Sequence, residues 1–425
     1  SLFFIVFLII SVIAAIIGAF ISLHPVLIFD DGLTSEELSK AKVMMILLTI
    51  SMILGFMSTV FNCFIYANQK FIFTKSLNVF TTVINVVLNL FVLFLGYGAI
   101  GLIIVSLILG IITKIITIIY AYKSLNFKFD FKHVETRLFK SVLAFSGLIA
   151  INMFVDKVNS GIDSILLGRF CGTAAVAVYS VGASLNSHFS MFSTAISGVF
   201  TPHIHNLVNS YEMDSLEQRN ALTKFFVKVG RLQYLLLALI ASGVVFFGKQ
   251  FIHFWAGEGY EKSYYIALIL ILPSIISLTQ NVGIEIQRAE NRHHYRAYIY
   301  GAMALLNLTL SIFLCQIWEG IGAAIGTGLA SLVANGIIMD VVYHKKININ
   351  ILEYWKNILH QTLGMIGPFI IGALIMKFAD MGSLVKLAFW IFVYVIIYAV
   401  FVWLVSMNKF EKELFLGAIK KLKRH

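Results

Sequence analysis

AIGLIIVSLILGIITKIITIIYAY, residues 99–122, carries one charge, Lys114, in an otherwise apolar run. A bilayer-crossing helix needs about 20 such residues, and a soluble core rarely offers one helix that is apolar all round. Working outward, stretches of the same kind recur at 1–29, 41–67, 74–95, 139–168, 174–203, 222–248, 262–288, 296–317, 319–343, 355–378 and 383–407. The predicted fold class is therefore an all-α polytopic membrane protein with twelve helices. The alternating ten-residue strands of a β-barrel are not seen in the sequence. The whole chain is 59% hydrophobic and 12% charged, with a mean hydropathy of +0.90. In lipid that excess needs no core, because the solvent is itself apolar. Cys63, Cys171 and Cys315 lie far apart and have no metal-ligand spacing.

The net charge of +11 would suggest nucleic acid only on a soluble face. Here the charge sits in loops and alternates. Of the 32 Lys and Arg, 23 fall in the even-numbered loops and the tail, and 7 fall in the odd-numbered loops. Short loops rich in Lys and Arg stay in the cytoplasm. The even loops and the C-terminus are thus expected to be cytoplasmic, and DDGLTSEE (30–37) is expected to face outward. The short loops leave no room for an extramembrane catalytic domain.

Two halves of the chain echo each other at an offset of 222 to 225. Ala67-Asn68-Gln69-Lys70 resembles Ala289-Glu290-Asn291-Arg292, and GYGAIG (96–101) resembles GIGAAIG (320–326). Leu88-Asn89-Leu90 is matched with Leu306-Asn307-Leu308, and Gly32 with Gly257. The repeat predicts an incomplete four-helix lobe at 1–122, an inter-lobe loop at 123–138, a six-helix lobe at 139–343, an additional helix pair at 344–407 and a basic tail at 408–425. About two helices that would complete the first lobe are expected to precede Ser1. Paired lobes are a common plan for carriers, with the substrate near the midplane.

One segment carries a family resemblance. DKVNSGIDSILLGRFCGTAAVAVYSVGASL (156–185), followed by ISGVFTPHIHNL (196–207), resembles the polysaccharide flippases, the exporters of O-antigen and capsule units. These belong to the multidrug/oligosaccharidyl-lipid/polysaccharide exporter superfamily. The resemblance implies two six-helix lobes and alternating access. It also implies transfer of an undecaprenyl-pyrophosphate-linked oligosaccharide across the bacterial inner membrane. The partners it implies are the lipid-linked substrate and membrane lipids, with a polysaccharide polymerase and glycosyltransferases as candidate protein partners. A cation-coupled multidrug antiporter of the same superfamily is the alternative, and a membrane polymerase or acyltransferase is a third reading.

Polar residues within the spans are the candidate site, because each charge at the bilayer centre costs on the order of 2.5–3.5 kcal/mol. Asn152, Asp156, Asn159 and Asp163 recur at steps of 4, 3 and 4, so they share one helix face, with Lys157 beside it. Such a face lines a cavity or forms a structural polar seam. Asn186, followed by Ser190, Ser193 and Ser197, marks the next span, and Asn281 and Glu285 mark the eighth. Asn62, Lys114 and Arg231 complete the set. Lys157, Lys114 and Arg231 are the candidates for an anionic substrate, and Asp156, Asp163 and Glu285 are the candidates for ion coupling. Lys114 and Asp340, at equivalent repeat positions, either pair with each other or are unrelated helix-end charges. No Gly-Lys-Ser/Thr loop and no zinc-spaced His pair appears, so the sequence predicts no cofactor, no metal and no enzyme. KFEKELFLGAIKKLKRH (409–425) reads as an amphipathic helix for an anionic membrane surface.

Overall fold

A computed structural model describes residues 2–25, 34–128, 157 and 161–422. The chain divides into two compact units, Ser1–Ile151 and Asn152–His425. The described helices of the first unit are α1 (Leu2–Leu23), α2 (Ser35–Ala67), α3 (Phe71–Phe94) and α4 (Gly98–Leu125). α1 is inside out by the standards of a soluble protein. Its Ser11 and Ser22 are buried, whereas Ile9, Val12, Ile13, Ile16 and Phe20 are exposed. Gly18 lies so close to α2 that a Cβ would stand 2.5 Å from Thr49. Small residues facing inward and large apolar ones facing outward are what helix association in lipid requires, since lipid competes for the large side chains.

α2 starts six residues before the predicted span. Thr34 Oγ1 accepts from the Glu37 amide at 3.3 Å, and Glu37 returns a carboxylate to the Thr34 amide at 2.9 Å. This capping box lets the helix run past its apolar stretch. α2 and α3 pack on α4 around Phe61, Ile65, Ala121 and Phe127, where the Phe73 and Tyr120 rings stack at 3.6 Å.

In the second unit α5 is helical over 161–170. α6 (Thr173–Asn209), α7 (Leu216–Ala256), α8 (Glu261–Thr279) and α9 (Val282–Ala289) follow. α7, at about 60 Å, outruns any bilayer. Its N-cap Ser215 accepts from the Gln218 amide at 3.1 Å, seven residues ahead of the predicted span. The helix recorded as His294–Ser331 breaks at Trp318 and Glu319, whose backbones leave the helical region. Its arms, α10 (294–317) and α11 (320–331), fold back at the predicted boundary. α11 continues through a π-helical stretch, Leu332–Ile338, into α12 (Met339–Lys345). α13 (Ile351–Leu363) and α14 (Ile366–Phe378) form a helix pair bent by 47° at the break between them. α15 (Leu384–Phe401), a π-helical Val402–Ser406 and α16 (Lys409–Leu422) end the unit. α8 packs against α6, α7 and the α10–α11 hairpin, while α13 and α15 lie on α7. Eight described helical stretches, with the α10–α12 hairpin counted once, are long and apolar enough to cross a membrane, or nine with the bent pair counted as one span.

The hairpin arms meet backbone to backbone. A Cβ on Gly322 would lie 1.9 Å from the Leu314 carbonyl oxygen. Gly322→Ala is therefore expected to cost about 1–3 kcal/mol through overpacking, read as a lower thermal midpoint in detergent.

The repeat is visible in the turns. Gln69 and Asn291 both take positive φ, at 56° and 57°. The Lys70 amide reaches back to the Ile65 carbonyl at 3.2 Å, and the Arg292 amide to the Gln287 carbonyl at 2.7 Å. Both are Schellman-type helix ends. This geometry fixes the offset at 222, which pairs Asn85 with Asn307 and Asn89 with Ser311. The sequence match of Asn89 with Asn307 was one helical turn out of register.

Candidate functional site

The second unit contains a buried carboxylate. Asp163 on α5 is 2% exposed. Tyr179 of α6 donates its phenol to Asp163 Oδ2 at 2.6 Å, and Thr327 Oγ1 of α11 stands 2.5 Å from the same oxygen. Ser311 Oγ of α10 lies 2.9 Å from Oδ1. Asn307 Oδ1 joins the group, 3.1 Å from Ser311 Oγ and 2.9 Å from Thr327 Oγ1, and the Ala323 carbonyl stands 3.4 Å from Ser311 Oγ. Four helices thus deliver oxygens to one point, and among the described residues no Lys, Arg or His is a partner of Asp163. The α10–α11 break makes this possible by folding Thr327 back beside Asn307 and Ser311.

Each hydroxyl has one proton to give. With the Asn307 amide in this orientation, the protons of Tyr179, Ser311 and Thr327 must serve six oxygen contacts. A proton on Asp163 or a small hard cation supplies what is lacking, since oxygen-only donors suit such ions. Among the described residues no group of three or more His, Cys, Asp and Glu could hold a metal. A single carboxylate among neutral oxygens suits a proton or a monovalent ion better than a transition metal.

The first unit contains the other chemically distinctive feature. α2, α3 and α4 line a cavity of about 320 Å³ that includes Ser58 and Asn62, Asn78 and Asn85, and Thr113 and Lys114. Lys114 Nζ donates to the Ser51 carbonyl at 3.1 Å. The cavity thus brings together two of the sequence candidates, Asn62 and Lys114. It also shows a stripe that the sequence reading missed: Thr74, Asn78, Thr81, Asn85 and Asn89 climb α3 at steps of 4, 3, 4 and 4. Its helical periodicity could have found it.

The other candidates are dispersed. Asn152, Asp156 and Asn159 lie outside the described residues, and Lys157 is helical and exposed. Asn281 donates to Ser193 Oγ at 2.8 Å, where Gln233 of α7 also donates at 3.1 Å. That knot ties α6 and α7 to the break between α8 and α9. Asn186, two turns earlier on α6, keeps a buried Oδ1 without a partner among the described residues. Glu285 pairs with Arg288 at 2.7 Å on its own helix. Arg231 is 4% exposed, and its Nε and Nη2 bind the two Glu411 oxygens at 2.7 and 3.0 Å. Lys114 and Asp340 each hold partners within their own unit. Asp340 accepts from Gln280 at 2.8 Å and from the Trp355 indole at 2.6 Å.

A loop clasp adds a titrating group. Arg292 binds Asp214 at 2.6 Å, the Lys346 carbonyl at 2.8 Å and Glu290 at 3.4 Å. Burial is the main reason the Glu290 carboxyl is pushed up to about 7; Arg292 opposes the rise and Asp214 adds to it. The folded state therefore binds this proton more tightly than the unfolded chain, whose carboxyl titrates near 4.5. Stability should fall as pH rises from about 4.5 through 7, by on the order of 2–3 kcal/mol. Asp214, held low by Arg292, loses its contribution only below its ordinary range, outside that window. Glu290→Gln should flatten the thermal midpoint between pH 5 and 8. An equally steep profile in the variant would acquit Glu290.

Comparison with known proteins locates this architecture. The solved structure "Lipid II flippase MurJ, inward closed conformation" superposes with a TM-score of 0.74 at 16% identity, over 97% of this chain and 83% of that one. At that identity the likeness shows a shared fold. Comparison with curated proteins gave no match. The family model described as "Polysaccharide biosynthesis protein" matches residues 1–265, well over half of the chain. Taken with the helical fold, this match makes the chain a member of the polysaccharide biosynthesis protein family.

Proposed function

We propose that this protein is a flippase that moves an undecaprenyl-pyrophosphate-linked oligosaccharide unit across the bacterial inner membrane by alternating access. The observation that carries the reading is Asp163. A carboxylate held by four helices with no cationic partner among the described residues is expensive in a membrane protein, and that expense fits an ion-coupling role better than a scaffold. Family membership and the fold shared with a lipid II flippase favour a lipid-linked cargo. The Lys- and Arg-rich loops and α16 are assigned to the cytoplasm. The four-helix, six-helix and terminal-pair division is retained as the lobe plan. A polysaccharide polymerase and glycosyltransferases would act on the cargo after and before transfer.

Proteoliposomes loaded with a fluorescent short-chain polyprenyl-pyrophosphoryl sugar provide the test. An imposed sodium or proton gradient should accelerate loss of the label to an external quencher. Gradient-driven efflux of a cationic dye, with no lipid movement, would instead assign the chain to multidrug antiport.

A further inference from the structure

The cavity between α2, α3 and α4 has a particular hydrogen-bond polarity. Thr81 and Thr82 donate to the carbonyls of Leu77 and Asn78 at 2.8 and 2.7 Å. Thr113 donates to the Leu109 carbonyl at 2.7 Å, and Ser58 to the Gly55 carbonyl at 2.9 Å. A hydroxyl that spends its one proton on its own helix can offer a ligand only lone pairs. The wall is therefore rich in acceptors. Its donors are the side-chain amides of Asn62, Asn78 and Asn85 and the Ser106 hydroxyl, none of which gives a hydrogen bond among the described residues, and the ammonium of Lys114, which gives one hydrogen bond to the Ser51 carbonyl and has two N–H groups left.

An acceptor-rich wall beside a single cation fits a ligand that brings many hydroxyl protons and one negative group. A volume of about 320 Å³ equals that of about ten waters, far more than one ion needs. We infer that this cavity is a glycan subsite, which seats a sugar through its hydroxyls and holds the adjoining phosphate on Lys114. The inference rests on the flippase reading and specifies which part of the cargo this unit grips. Sugar hydroxyls donate to Ser58, Thr81, Thr82 and Thr113, while Asn62 and Asn78 complete the ring contacts. The lipid tail has no role in the cavity.

The test measures binding by the full chain in nanodiscs. One probe is a short-chain polyprenyl pyrophosphate bearing an N-acetylhexosamine, and the other is the same pyrophosphate without the sugar. The wild type should prefer the glycosylated probe at least tenfold. Asn62→Leu and Asn78→Leu should bring that preference close to one while leaving the bare pyrophosphate unaffected, and Asn78→Gln should keep most of it. Lys114→Gln should weaken both probes about tenfold, the effect of one charge-assisted hydrogen bond. An unchanged preference in both leucine variants overturns the subsite, and so does a wild type that binds the two probes equally. Continued lipid translocation in those cases would leave the flippase reading standing. A wild type that neither binds nor moves either probe removes both.

Discussion

Asp163→Asn is expected to bring gradient-driven lipid movement down to the level of protein-free vesicles, with the folded yield unchanged. The asparagine keeps the shape of the carboxyl: its Oδ1 can accept from Tyr179 and Thr327, and its Nδ2 can donate to the Ser311 hydroxyl, the three oxygens standing 2.5–2.9 Å from the present carboxylate. What it loses is the negative charge and the site that takes up a proton or a hard cation. Tyr179→Phe and Thr327→Val each remove one contact to a charged group, worth about 1.5–3 kcal/mol. Each should change the apparent affinity for the coupling ion by about tenfold or more, tighter for a proton because the ion-free carboxylate loses a donor and weaker for a metal cation because an oxygen ligand is lost, with a smaller effect on the maximal rate. Asp163→Leu tests the opposing structural role. If the centre is only a polar seam, the leucine variant should lose folded yield, because it strands the hydroxyls of Tyr179, Ser311 and Thr327, whereas Asp163→Asn should still move lipid in response to a gradient. Wild-type transport by Asp163→Asn would eliminate ion coupling at this position.

The second large effect concerns stability. Arg231→Gln should lower stability by about 3–5 kcal/mol, because it strands the buried Glu411 charge. The pair is bidentate, and the side chains are 5% and 1% exposed. Arg231 Nη2 also donates to the Ser406 carbonyl at 2.9 Å. Around it, Asn408 and Glu411 cap α16 reciprocally at 2.8 and 2.9 Å, and Lys228 sits 3.7 Å from the centre of the Phe410 ring. The variant should therefore free α16 from α7, which would appear as faster proteolysis after residue 407. Replacing both partners, Arg231→Met with Glu411→Leu, should recover most of the thermal stability. The double variant should also retain transport, because a guanidinium whose Nε–Nη2 edge is held by a carboxylate has little charge left for a phosphate. Transport lost in a stable double variant would return Arg231 to the substrate path.

The amphipathic reading of the tail anticipated α16 but not its anchor. The spacing Asn408-x-x-Glu411 marks Glu411 as the capping partner of α16, but only docking on α7 buries it against Arg231. The clasp on Arg292 is similar, since its partners come from three loops far apart in sequence.

The sequence by itself determined that the chain is helical and membrane-spanning, where most spans begin and end, and that its halves are related. Each of these is written in local composition: apolar length sets the spans, loop charge sets the alternation, and Gly- and Asn-bearing turns set the repeat. Helix ends came out short at α2 and α7 because capping residues carry a helix beyond its apolar stretch. The tertiary structure decided which polar residues meet. Asp163, Asn307, Ser311 and Thr327 lie up to 164 residues apart and converge only because α10 and α11 fold back at Trp318 and Glu319. Arg231 looked like a free cation until α16 packed on it, and the neutral stripe on α3 gained meaning only when it faced Lys114 across a cavity. A helix face is encoded every three or four residues, but the partner opposite that face is set by long-range packing, which no local pattern records.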